Sequence, residues 1–105
     1  MSNMLQPDLI FRNARIIDGT GSPSTNGDLA ISGDRLLVLG EIGNLHGEQE
    51  IDIEGRVVCP GFVDTHTHDD RVLLTDPDMN CKVSQGVTTV VTGNCGISLA
   101  PLKMQ

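Results

Sequence analysis

Two histidines separated by one residue, His66 and His68, follow a short apolar run, Phe62-Val63-Asp64. In an extended chain residues i and i+2 point to the same side, so both imidazoles can face one ion. Cys95 stands beyond a β-branched run, Val87-Thr88-Thr89-Val90-Val91-Thr92, inside Gly93-Asn94-Cys95-Gly96. Two imidazoles and a thiolate form a donor set that suits zinc. Asp69 and Asp70, directly after the second histidine, add carboxylates able to orient a ligand histidine or touch a second metal. Asp64 is placed either to hydrogen-bond backbone or to support the site. Thr65 and Thr67 point away from the histidines and pack or bond locally.

These residues matter together only if the fold brings both segments to one place. Phe62–Asp64 reads as a strand released by the Cys59-Pro60-Gly61 break. Asp76 as N-cap, Pro77 at the first helical position and Gly86 as C-terminal cap predict a helix over 77–85. The run 87–92 has the composition of a strand buried on both faces of a parallel sheet. Residues 61–96 therefore read strand, helix, strand: one right-handed βαβ unit. Neighbouring strands in such a unit lie about 4.8 Å apart and exit at the same end. That end is where parallel α/β folds place active sites. The reading brings His66, His68 and Cys95 within reach of one another.

The first half carries strand patterns without helices. Leu9-Ile10-Phe11 and Arg15-Ile16-Ile17 are β-rich runs joined near Asn13, and Asp18 to Pro23 is a loop of breakers. Asn26-Gly27 is a tight-turn signal. Asp28 to Ser32 and Arg35 to Leu39 flank Gly33-Asp34, a two-residue hairpin spacing. Ile51-Asp52-Ile53 and Arg56-Val57-Val58 flank Glu54-Gly55 in the same way. The expectation is part of an antiparallel sheet or sandwich.

Other chemistries fit less well. Cys59 and Cys81 read as structural, His46 as a solvated loop residue, and Asp76 and Asp78 as helix-start acids favoured by the dipole. Gly93–Gly96 lacks the lysine and spacing of a phosphate loop. No Gly-x-Ser-x-Gly elbow is present, and Ser98 has no histidine placed to activate it. A Cys95 nucleophile with His66 or His68 as base ranks below a metal site. A redox role ranks last, for want of a Cys-x-x-Cys.

Composition narrows the partners. Over 105 residues, 7 basic and 14 acidic side chains leave a formal charge of −7, which argues against a nucleic-acid partner. Apolar clusters such as Leu36-Leu37-Val38-Leu39 are far too short to span a bilayer. Met1 to Asp8 lacks a basic segment followed by an apolar stretch, so no signal peptide is expected. Three cysteines without framework spacing fit a reducing cytoplasm. With only two aromatics, Phe11 and Phe62, any core must come from Ile, Leu and Val. A complete (β/α)8 barrel, which needs roughly 200–250 residues, does not fit in this length.

Val58-Cys59-Pro60-Gly61-Phe62-Val63-Asp64-Thr65-His66-Thr67-His68 nevertheless resembles the opening of the catalytic barrel of the amidohydrolase superfamily. The strand-rich residues before it, with Asn13 to Gly21, resemble that superfamily's N-terminal half-sandwich. His68-Asp69-Asp70 and Gly86 to Pro101, with Gly-Asn-Cys-Gly after the second strand, are similar to the N-acyl-D-amino-acid deacylases, or D-aminoacylases. The resemblance implies a mixed β and α/β chain. Residues 1–58 would form the N-terminal part of a small β-sandwich, and 59–105 the first βαβ unit of the barrel, left incomplete. It implies a zinc-dependent hydrolase that removes the acyl group from an N-acyl-D-amino acid through metal-activated water, with His66, His68 and Cys95 as metal ligands. The remaining ligands and the aspartate acting as general base are expected beyond residue 105, so the chain alone is expected to be inactive or nearly so. Open strand edges allow self-association. Two alternatives stand beside this reading. One is a segment of a cyclic amidohydrolase of the dihydroorotase or hydantoinase kind, which Cys95 fits poorly. The other is a non-catalytic β-rich self-associating module.

Overall fold

The computed structural model describes residues 6–99, and the chain divides into two compact units, Met1–Pro60 and Gly61–Gln105. The first is a single five-stranded sheet built around β1 (Leu9–Ile16). On one side β1 pairs antiparallel with β2 (Thr25–Ser32), from Leu9 opposite Ile31 to Ile16 opposite Thr25. Next to β2 lies β3 (Arg35–Gly40), also antiparallel, with Ser32 opposite Arg35 across the expected Gly33-Asp34 turn. The other side of β1 carries two short strands in series, β4 (Gln49–Asp52) and β5 (Val57–Val58), both parallel to it.

This arrangement corrects three local expectations. The two runs around Asn13 form one strand with a bulge, not two strands. Asn13 takes a φ of 57°, its N–H donates to Asp28 Oδ1 at 3.0 Å, and its amide donates to Asp52 Oδ2 at 2.9 Å. The segments flanking Glu54-Gly55 do not pair with each other as a hairpin. Glu54 and Gly55 instead form a jog opposite the bulge, where Gly55 N–H donates to the Asn13 carbonyl at 2.7 Å. The neighbouring chain thus follows β1 past its irregularity and pairs again. Finally, Asn26-Gly27 is not a turn, because β2 runs through it. A Cβ on Gly27 would lie 2.8 Å from the Gly40 carbonyl oxygen, so glycine is needed there for close backbone approach.

The core of this unit is Ile10, Ala30 and Ile42, with Leu37, Val38 and Leu45 packed against it. Full burial of a side chain such as Ile10 contributes roughly 1.5–3 kcal/mol. Arg12 ties three strands together: its guanidinium lies 3.1 Å from Asp28 Oδ2 and 2.5 Å from Glu50 Oε1, and it donates to the Leu45 carbonyl at 2.6 Å.

In the second unit β6 (Phe62–Asp64) and β7 (Val87–Val90) pair in parallel, as the βαβ reading requires. Between them the expected helix over 77–85 shortens to one turn, α2 (Asn80–Val83), which starts after Met79 in the left-handed region at φ 49°, and an additional one-turn helix, α1 (Val72–Thr75), precedes it. Pro77 explains the break: it disfavours helical backbone at the preceding residue, and Asp76 ends α1 at φ −136°, ψ 79°. Gly86, at φ 84°, closes the turn after α2 and hands the chain to β7. The expectation that β7 is buried on both faces also fails. Thr88 and Thr89 are exposed, because the described sheet has only these two strands.

Candidate metal centre

The site is assembled where β6 and β7 exit together. After Asp64 the chain bends, and Asp64 Oδ1 accepts the His66 N–H at 3.3 Å, a local turn of the kind short acidic side chains favour. The two imidazoles stand edge to face, with ring centroids 5.6 Å apart and planes at 78°. Thr67, between them, is buried, while Thr65 is exposed.

From the other strand, a short 3₁₀ turn (Asn94–Gly96) delivers the thiol. Cys95 occupies the left-handed region at φ 57°, ψ 28°, uncommon for a residue with a side chain. Gly93 and Gly96 beside it also have positive φ, which lets the chain curl tightly enough to turn Cys95 back toward the histidines. Cys95 Sγ comes to 3.5 Å from His66 Nε2. One donor atom from each of His66, His68 and Cys95 lies within 4.8 Å of the others, and all three residues are exposed.

Tetrahedral zinc bonds of roughly 2.0–2.3 Å place donor atoms roughly 3.3–3.8 Å apart. The Cys95–His66 separation falls in that range, while the full set is held within 4.8 Å. Two imidazoles and a thiol are a donor set that fits a metal ion.

Asp69 and Asp70 are the carboxylates expected to orient a ligand histidine or touch a second metal. In the structure Asp69 Oδ2 lies 3.1 Å from Lys82 Nζ. The buried Asp70 accepts a long 3.5 Å hydrogen bond from the Gly93 N–H. Asp64 both accepts the His66 N–H and binds Lys82 Nζ at 2.7 Å. The Lys82 hydrogen bond, more than that of His66, holds Asp64 below the usual carboxylate range. Asp69 is lowered too, first by the Thr67 side chain and then by Lys82. Lys82 is raised in turn by Asp64 and then Asp69.

Two residues that sequence reasoning missed hold the site. Lys82, on α2, joins Asp64 to Asp69. Asn94 donates from its side-chain amide to the Thr67 carbonyl at 3.2 Å and to the Val91 carbonyl at 2.8 Å, joining the histidine segment to the end of the second strand. Asn94 lies within the Gly-Asn-Cys-Gly motif, which was the only signal available for it. Lys82 carried none. Of the other candidates, His46 is exposed and lies 3.2 Å from Glu50, and Cys59 and Cys81 are exposed free thiols outside the cluster.

Comparison with known proteins gives the chain relatives. The chain is 56% identical over 97 residues to an N-acyl-D-aspartate deacylase of Alcaligenes xylosoxydans xylosoxydans, covering 92% of this chain and 20% of that protein. It superposes with a TM-score of 0.86 on a D-aminoacylase whose binuclear metal centre shows one-metal activation and second-metal attenuation. The identity there is 51%, over 93% of this chain and 21% of the other. An N-acyl-D-glutamate deacylase from Bordetella bronchiseptica, complexed with zinc and a phosphonate mimic of the tetrahedral intermediate, gives a TM-score of 0.83 at 42% identity, over 94% and 21%. The chain thus spans about a fifth of the length of the curated relatives it matches. Residues 49–102, more than half of the chain and inclusive of all three candidate ligands, match the amidohydrolase family profile, and the chain belongs to that family.

Proposed function

We propose that this chain supplies the first ligands of the metal centre of an N-acyl-D-amino-acid deacylase, an enzyme hydrolysing the N-acyl amide bond. The observation that carries the reading is the convergence of His66, His68 and Cys95 at the shared exit of two parallel strands. Its support from outside the chain is the likeness to deacylases of N-acyl-D-aspartate and N-acyl-D-glutamate. The metal is proposed as zinc, which when bound would polarise an amide carbonyl and acidify a water. The chain's own residues hold the donors in place: Asp64 and Asn94 fix the backbone on either side of the site, and the glycines beside Cys95 set its thiol. Asp64 and Asp69 pair with Lys82 and Asp70 accepts the Gly93 N–H, so none of the three is assigned as general base. Turnover of an N-acyl-D-amino acid by the 105-residue chain alone would contradict that assignment.

The division into a β-sandwich part, residues 1–58, and a barrel part, 59–105, belongs to the same proposal. So does a cytoplasmic location, where three exposed free thiols would stay reduced. The acidic balance supports a partnership with small substrates and not nucleic acid. Among the described residues no helix is long and apolar enough to cross a membrane. Exposed Leu36 and Leu39 on β3 support self-association, which sedimentation over a range of concentrations would reveal.

The direct test is zinc binding to the metal-free chain. About one zinc per chain, lost in both His66→Ala and Cys95→Ala, is the expected result. Binding that ignores these substitutions would end the metal assignment.

A further inference from the structure

The His66-Thr67-His68 segment is exposed at both imidazoles and has no regular secondary structure of its own to hold it. Its two ends are nevertheless joined through one side chain. Lys82 Nζ lies 2.7 Å from Asp64 Oδ2 and 3.1 Å from Asp69 Oδ2. Asp64 precedes the pair by two residues and uses its other oxygen to accept the His66 N–H, and Asp69 directly follows His68. The three side chains are 23%, 30% and 17% exposed, sheltered enough for the ion pairs to hold a geometry. The lysine comes from α2, the helical turn that packs on β7, the strand leading to Cys95. An ammonium that bridges both flanks of the histidine pair from the second strand's own helix is positioned to set how far apart the imidazoles and the thiol sit.

We infer that Lys82 is a positioning residue for the metal centre. It fastens Asp64 and Asp69 so that His66 and His68 face Cys95 before any ion arrives. This rests on the metal reading above and adds the residue that organises the site. Lys82 touches neither metal nor substrate in this role; it acts through the two aspartates.

The test uses cobalt(II) alone, titrated into the metal-free chain. It is read by the thiolate-to-cobalt absorption of Cys95 and by affinity. Lys82→Met is expected to bind cobalt about 10–100-fold more weakly, the range seen when groups that orient metal ligands are removed. Lys82→Arg, which keeps a cation able to span two carboxylates, is expected to recover most of the affinity and the parental spectrum. A residue that merely stabilised α2 would lower the melting temperature and leave the affinity of the folded protein unchanged. That result, or parental affinity in folded Lys82→Met, overturns the inference. Should Lys82→Met not fold, Asp69→Asn removes one arm and leaves the other on Asp64. Weakened cobalt binding there supports the inference, and parental binding overturns it. Absence of cobalt binding in the parent chain would instead sink the metal assignment itself, so the two failures are told apart.

Discussion

The two units solve the problem of holding a small structure together in different ways. Among the described residues, the buried hydrophobic side chains Ile10, Ala14, Ile16, Leu29, Ala30 and Ile42 belong to the first unit, and Met79 alone belongs to the second. The second unit leaves Phe62, Val63, Leu74, Val83 and Ile97 between 56% and 59% exposed. What orders it is polar: Lys82 on two aspartates, Asn94 on two carbonyls, and the Gly93 N–H on Asp70. Burial of apolar area is non-directional and tolerates small shifts, whereas a ligand set needs atoms at fixed separations. The first unit has such contacts as well, around Arg12 and Asn13, but adds them to an apolar core; the unit with the candidate metal centre relies on them with little buried apolar area among its described residues.

The sharpest way to break this contrast is truncation. Ile10→Ala should destabilise the first unit by roughly 2–5 kcal/mol, since Ile10 is fully buried in its core. Val63→Ala, at an exposed position of the second unit, should stay within about 0.5 kcal/mol. Denaturant titration of both variants compares them directly, and equal losses would show that the second unit has an apolar core after all.

Metal addition probes the opposite side of the comparison. Zinc at about a hundred times its dissociation constant should stabilise the binding-competent fold by about 2.7 kcal/mol. Hydrogen exchange should register this as added protection in residues 61–96. A gain confined to β1–β3 would reverse the assignment.

A smaller effect, roughly 1–3 kcal/mol, is expected for Gly27→Ala, where the new Cβ meets the Gly40 backbone. The same change at the exposed Gly33 turn meets no atom, but its φ of 55° makes it strained for a different reason. Thermal melting of both variants separates a collision from a conformational cost.

The smallest effect concerns pH. Glu50 is held below the usual carboxylate range, first by its hydrogen bond to Arg12 and then by His46. A lowered native value means that the stabilisation is present above the unfolded carboxylate range and is lost as pH falls through the native one. Glu50→Gln should therefore flatten the acid side of the first unit's stability profile. An unchanged acid limb would remove Arg12–Glu50 from the account.

Much of the site was legible because its signals are local. A His-x-His pair directly after a short strand, and a β-branched run ending in glycines before Cys95, mark the two segments that meet, although the histidines sit on a bend past β6 and not on an extended strand. The Gly33-Asp34 turn was equally readable. What escaped were choices between distant partners. Ile51–Ile53 looks as ready to pair with Arg56–Val58 as with β1; in the fold Gln49–Asp52 pairs with β1, and Asn13 ties the bulge to Asp28 and Asp52. Gly27 carried the composition of a turn, but a backbone approaching from β3 is what requires it. Pro77 was read as a helix start, while its effect on Asp76 made it a helix stop. Lys82 looked like any helix-surface lysine, since its two aspartates are distant in sequence.

The strand order has a kinetic side. β1 exchanges hydrogen bonds with three other strands: β2 on one edge, and β4 followed by β5 on the other. The first edge closes through a short loop. The second waits for Gln49 to Val58, and bringing those residues back to Leu9–Ile16 is the more expensive loop closure. During synthesis β1 therefore stays half-paired until residue 58 has appeared, and the histidine pair follows at once. The closing of the sheet and the arrival of the first imidazoles are set next to each other in time by nothing more than their order along the chain.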